Sequence, residues 1–224
     1  MHLFARVEFF AMGPSIELWK RAFPDPSNSP AHHTRNLFIE ETSICFDVDT
    51  DPGDWIRAFL NVVHLEFWNM SRTSLVPFHA LSPAVRSLRL TSCPAEIFDL
   101  VCSFPLLEDL VLDSLHPESY PDEWNAPLTS PKFTGTLSIR TRGWDHSVIR
   151  RLLGLPGGLH FSEINAVFFH SEAELVQNLV LACSDTLEFL TAHYFPSCAF
   201  PPAPVTNQNL TTARGCRPTW DCFS

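Results

Sequence analysis

Apolar residues recur along the chain in a short figure. Val85-Arg-Ser-Leu88-Arg-Leu90-Thr-Ser-Cys93 has apolar side chains at its first, fourth, sixth and ninth positions. Leu107-Glu-Asp-Leu110-Val-Leu112 repeats the first six positions, and Leu60-Asn-Val-Val63-His-Leu65 precedes both. Weaker copies begin at Phe4 (Val7, Phe9), Thr34 (Leu37, Ile39), Thr134 (Leu137, Ile139), Phe161 (Ile164, Ala166) and Leu187 (Leu190, Ala192). Successive side chains of a strand point to opposite faces. The fourth and sixth positions of each unit are therefore predicted to be buried, and the third, fifth and seventh to face outward. Of the 24 outward positions only six are apolar: Phe10, Phe38, Val62, Val111, Val167 and Phe189.

Between the strands lie stretches with helical apolar spacing, at 54–60, 95–102, 145–153 and 172–182. Pro94, Asp145 and Ser171 are suitable residues to open the last three. Pro83, Pro105 and Pro156-Gly157-Gly158 punctuate the return to the next strand. The segment 116–132, with Pro117, Pro121, Pro127 and Pro131, reads as a protruding loop.

Strand starts at 4, 34, 60, 85, 107, 134, 161 and 187 fall mostly at a spacing typical of leucine-rich repeats, whose period is about 20–29 residues. Parallel strands joined by right-handed crossovers give the expected fold class. It is α/β: an irregular leucine-rich-repeat-like right-handed solenoid, with a parallel β-sheet on one face and helices and loops on the other. An ordinary α/β domain with evenly spaced strands is the competing fold. Residues 1–195 form the repeat domain of about eight units, and 196–224, Pro-rich and then polar, read as an aperiodic, disordered tail. A solenoid needs a polar outer face on its terminal unit. The first strand starts almost at Met1 without such a cap, so the chain reads as the middle of something longer.

Composition narrows the setting. The chain has 224 residues, 45% apolar and 18% charged, with 19 Pro and 7 Cys. No apolar run approaches the roughly 20 residues that span a bilayer, so no membrane partner is expected. The net charge is −10 and lysine occurs only at Lys20 and Lys132. A general phosphate-binding surface, and hence a nucleic-acid partner, is not expected. An odd number of cysteines without C-x-x-C pairing is a poor disulfide or zinc framework. Arg6 and Glu8 interrupt the apolar N-terminal stretch, which excludes a signal-peptide core. Together these place the chain in an intracellular setting, cytoplasmic or nuclear.

Trp19-Lys-Arg-Ala-Phe-Pro-Asp-Pro-Ser-Asn-Ser-Pro-Ala-His-His-Thr-Arg35, leading into a strand, and Ser103-Phe-Pro-Leu-Leu-Glu-Asp-Leu-Val-Leu112 carry a family resemblance. The chain resembles the F-box/leucine-rich-repeat-like proteins expanded in mushroom-forming fungi, over about residues 1–195. The resemblance implies a substrate receptor of a cullin-type ubiquitin ligase, whose F-box grips the adaptor while the repeats hold the target. Only the repeat portion carries over. No F-box helical module precedes Phe4, and a ligase adaptor would be a partner only through an F-box upstream of Met1. The family offers no catalytic residues.

Candidate chemistry is sparse. Asp47-Val-Asp49-Thr-Asp51-Pro-Gly53-Asp54 resembles the opening of a calcium loop, but Gly falls one position late and position twelve is Ala58. The same acids suit the start of a helix before Trp55. His193 with Cys198, and His32 with His33, have metal-ligand spacing without a second matching pair. No G-x-S-x-G elbow or Walker loop occurs. The expectation is a non-enzymatic module with no cofactor, no metal and no catalytic residue. A hydrolase-like enzyme on an ordinary α/β sheet and a truncated gene product without independent function are the alternatives.

Charge layout gives a candidate surface. Residues 90–131 hold eight acids, Glu96, Asp99, Glu108, Asp109, Asp113, Glu118, Asp122 and Glu123, with no Lys or Arg. Asp109 and Asp113 are expected to project from one strand, near Arg89 on one neighbour and Arg140 on the other. The candidate partner-binding residues on the concave strand face are His64, Glu66, Arg89, Asp109, Asp113, Arg140, Glu163, Asn165 and His193. A protein partner with a basic segment would suit them.

Overall fold

The computed structural model describes residues 5–10, 12–41, 53–71, 78, 81, 84–94, 98–116, 131–140, 146–195 and 211–214. Nine strands form one sheet in chain order: β1 (Arg6–Phe9), β2 (Asn36–Glu40), β3 (His64–Trp68), β4 (Ser87–Thr91), β5 (Asp109–Asp113), β6 (Thr136–Arg140), β7 (Glu163–Phe169), β8 (Phe189–Phe195) and β9 (Thr211–Arg214). Strands β1 to β8 are all parallel to their neighbours. The protein is therefore α/β, with an eight-stranded parallel sheet. The ninth strand lies in the stretch read as an aperiodic tail and pairs antiparallel with β8. The rest of 196–224, and most of 116–132, lie outside the described residues.

Two apolar rows run across the buried face. Val7, Leu37, Leu65, Leu88, Leu110, Leu137, Ile164 and Leu190 are in register in one. Phe9, Ile39, Phe67, Leu90, Leu112, Ile139, Ala166 and Ala192 form the other. All are buried except Leu190 and Ala192, which are partly covered near the β8 edge. Removing one such leucine to alanine costs about 2–5 kcal/mol.

The third unit departs from its expected register. His64, not Val62, pairs with Ser87, so this unit begins at Val62 and not at Leu60. Val62 is fully buried instead of outward, Phe67 takes the sixth position, and Trp68 joins the outward set. The slip is two residues, the side-chain period of a strand. His64 and Glu66 consequently keep their outward orientation.

Backbone hydrogen bonds repeat with the units. The second-position carbonyl of each accepts from the second and third amides of the next: Ala5 from Arg35 and Asn36, Arg35 from Val63 and His64, Val63 from Arg86 and Ser87. The figure continues with Arg86, Gly135 and Ser162 as acceptors. A second ladder runs at the strand ends. The amides of Glu41, Asn69, Ser92 and Ser114 donate to the carbonyls of Trp68, Thr91, Asp113 and Arg140 at 2.9–3.1 Å. Asn69, Ser92 and Ser114 hold a left-handed backbone at this turn, with φ of 53, 52 and 55°.

The return segments close the core. Helix α1 (Met12–Ala22) had no counterpart in the sequence reading, although Ile16, Trp19 and Phe23 lie along one helical face. Trp19 and Trp55 meet Phe9 edge-on, with ring centroids 5.6 and 5.3 Å away. Two one-turn 3-10 helices follow α1. Asp25 caps Pro26–Asn28 and Ser29 caps Pro30–His33, each with proline in the first turn. Asp25 is held below the usual carboxylate range by hydrogen bonds from the Ser27 hydroxyl and the Ser27 amide.

Helices stand at all four predicted places: α2 (Gly53–Ile56), which ends four residues early, α3 (Phe98–Val101), α4 (His146–Leu153) and α5 (Ala173–Ala182); residues 95–97 and 145 lie outside the described residues. Ser171 does not cap α5. The cap residue is buried Glu172, which accepts instead from the Phe169 amide at 2.9 Å. In the sixth unit exposed Thr134 cannot fill the first position, and Phe133 does so from one residue earlier. Its left-handed φ of 43° turns the ring inward, 5.0 Å from Phe161.

Candidate functional site

The alternation that buries two rows turns the opposite side of each strand outward, and the register sets those side chains in rows. Among the described residues of that side only Phe38, expected to face solvent, is itself buried. Glu8, Phe38, Glu66, Arg89 and Val111 follow one another across β1 to β5, continued by Ser138, Asn165 and Thr191. The next row is Glu40, Trp68, Thr91, Asp113, Arg140, Val167 and His193. The face is mixed in charge, and several of its charged groups pair locally.

Glu66 links two neighbours. Its Oε1 accepts from the Trp68 indole N–H at 2.7 Å and lies 3.6 Å from Arg89 Nε. Asp113 Oδ2 lies 3.7 Å from Arg140 Nη1, while its Oδ1 accepts from the Ser114 hydroxyl at 2.8 Å. On β7 the Asn165 amide donates to Glu163 Oε1 at 2.9 Å. At the β1 edge Arg6 Nε pairs with Glu8 Oε1 at 2.6 Å. Half-exposed pairs of this kind contribute about 0–1 kcal/mol each. Their consequence is orientation of side chains, not stability.

The expected pairing of Arg140 with Asp113 is present. The expected proximity of Arg89 to Asp109 is replaced by its ion pair with Glu66, because Arg89 stands opposite Val111 on β5. Asp109 itself turns into the backbone. Its Oδ1 accepts from the Thr136 amide at 2.7 Å, the one amide that leaves the repeated carbonyl ladder. Its carboxylate is thus engaged within the sheet. Glu96, Glu118, Asp122 and Glu123, and the side chain of Asp99, lie outside what is described.

Among the described residues one depression lies on the open face and another at the strand ends. One, of about 300 Å³, is lined by Arg6, Asn36, Phe38, His64, Glu66, Ser87 and Arg89, and so brings three of the nominated residues together. The other, of about 570 Å³, lies beyond the carboxyl ends of β3 and β4, lined by Glu41, Asn69, Met70, Ser71, Ser92, Pro94 and His116. There the Glu41 carboxylate accepts from the Ser71 amide at 2.6 Å. Sequence reasoning did not place Trp68 on the open face. Phe10, Phe38 and Trp68 touch in series across β1 to β3, with ring centroids 5.3 and 5.8 Å apart. The alternation after Leu65 carried the signal, once the unit start moves to Val62.

Among the described residues no group of three or more His, Cys, Asp or Glu side chains converges as a metal-binding set. The Asp47–Asp51 run and Cys198 lie outside the described residues. Burial pushes the thiols of Cys93 and Cys183 up to about 11. Among the described residues no helix is long and apolar enough to cross a membrane. Comparison with family models, curated proteins and solved structures finds no match for this chain.

Proposed function

We propose that this chain is a protein-binding module: the repeat portion of an F-box-type ubiquitin-ligase receptor, folded as an irregular right-handed leucine-rich-like solenoid. Its open strand face holds the protein partner. The observation that carries this reading is the recurrence of two backbone ladders, one at the second position, from which only the Thr136 amide departs, and one at the eighth across β2 to β6. A ladder of that kind is what stacked copies of one structural unit produce, and such stacks use their exposed sheet as a binding surface. The outward rows supply paired charges and exposed aromatics, the mix that gives specificity and hot spots at protein interfaces. The setting is intracellular, and the module needs neither cofactor nor catalytic residue.

The test is steric. Ser138→Trp and Asn165→Trp block the open face, whereas Glu174→Trp and Asn178→Trp add the same bulk to exposed positions of α5. Partner capture is expected to fall for the first pair alone. Equal loss from both pairs, or from the helix pair alone, would overturn the reading. An enzymatic reading draws on one observation, the cleft with Glu41 and His116 beyond the strand ends. Parallel α/β sheets commonly bind ligands there.

A further inference from the structure

We infer that the outward face of β1 to β3 receives an arginine-bearing extended segment of the protein partner, an inference that rests on the binding reading above and names the chemistry of what binds. The register sets acids and aromatic rings on alternate squares. Glu8, Phe38 and Glu66 are successive in one row, and Glu40 and Trp68 are neighbours in the next. Phe10 follows Phe9, the partner of Ile39, and so flanks Glu40 on the other side. Phe38 thus lies between two carboxylates, buried with its ring against those of Phe10 and Trp68, and Glu40 lies between the two exposed rings.

Three features make this a receptive surface. Phe10 is 52% exposed and Trp68 37%, so apolar ring area is left to water on a sheet face whose other apolar positions are scattered. The indole N–H of Trp68 is bonded to Glu66, which fixes the ring in place before anything binds. Glu8 and Glu66 each already pair with an arginine of this chain, Arg6 and Arg89. Glu40 has no ion pair or side-chain hydrogen bond among the described residues.

A guanidinium meets both demands at once. It stacks on an aromatic face and bonds a carboxylate through its planar fork, whereas an ammonium acts as a compact point charge. An apolar segment would bury Glu40 unpaired, at a cost. An acidic segment would face three carboxylates.

The full chain is titrated with the acetylated, amidated peptide Ser-Arg-Ser-Arg-Ser and with its lysine and glutamate counterparts. The readout is the indole NMR signal that disappears in Trp68→Phe. The arginine peptide is expected to shift that signal, the lysine peptide to bind about five-fold more weakly, and the glutamate peptide not to bind. Glu40→Gln is expected to weaken the arginine peptide by about five-fold without moving the thermal midpoint. An unmoved Trp68 signal, or unchanged binding to Glu40→Gln, would overturn the inference, as would self-association of the chain through this face. If the arginine peptide fails while Ser138→Trp and Asn165→Trp still abolish partner capture, the arginine inference falls and the binding reading stands. If those substitutions fail as well, both fall.

Discussion

Asp109 and Gly135 share one space. A Cβ at residue 135 would stand 2.2 Å from Asp109 Oδ1 and 3.2 Å from the Glu108 carbonyl. Asp109 reaches across because residue 135 has no side chain, and it holds the Thr136 amide there at 2.7 Å. Gly135→Ala is therefore expected to destabilise the fold by about 1–3 kcal/mol, the cost of expelling a carboxylate and orphaning its amide. In an Asp109→Ala background the same change costs less. Urea unfolding of the four-member cycle measures this; additive costs would show that the two residues act separately.

The two-residue shift of the third unit makes an equally direct prediction. Val62 is fully buried, so Val62→Asp places an uncompensated charge in the core, at a cost of several kcal/mol or loss of folding. His64→Asp, two residues later on the exposed face, is expected to stay within about 0.5 kcal/mol of the parent. Thermal midpoints separate them. Comparable midpoints would restore the register that begins at Leu60.

Ser92 occupies a left-handed backbone conformation, φ 52°, at a turn its neighbouring units also make. A side chain there costs about 1–2 kcal/mol, and glycine loses about 0.5–1 kcal/mol of that gain to the entropy of the unfolded chain. Ser92→Gly is expected to stabilise by a few tenths to about 1 kcal/mol, read from the urea midpoint. Destabilisation would mean that its side chain contributes more than its backbone costs.

The buried thiols of Cys93 and Cys183 give a pH signature. Both ionise near 11 in the fold, up from 9.0, because burial disfavours the thiolate. The unfolded chain releases these protons first as pH rises. The contribution to stability is complete below pH 9 and is lost between pH 9 and about 11. Unfolding free energies at pH 8, 9 and 10 are expected to fall less steeply in Cys93→Ala than in the parent. Parallel slopes would place the thiolate in water.

Much of the fold was legible in the chain. A strand with one buried face declares itself through alternation, and seven of the eight parallel strands start in the expected register. The third did not, since Val62, Val63 and Leu65 satisfy two registers a strand period apart, and Leu60 looks like a first position while being exposed. The first position of the sixth unit was hidden, because Phe133 fills it from one residue before Thr134 on a left-handed backbone. Helix α1 was missed because its apolar stripe is narrow and Gly13-Pro14 suggest a turn. Of the nominated face, His64, Glu66, Arg89, Asp113, Arg140, Glu163, Asn165 and His193 stand where the alternation put them. The role of Asp109 was not legible, because it depends on the absence of a side chain 26 residues away at Gly135.

The open face as a binding surface is the centre of this account, and placement of a photo-crosslinking amino acid tests it most directly. Incorporated at Ser138 or Thr191 on the sheet, and at Glu174 or Asn178 on α5, it is activated in living cells that express the full chain. The account predicts a discrete protein adduct from the two sheet positions and none from the helix. Adducts from α5 alone, or none from Ser138 and Thr191 while the chain still captures a partner, would contradict it.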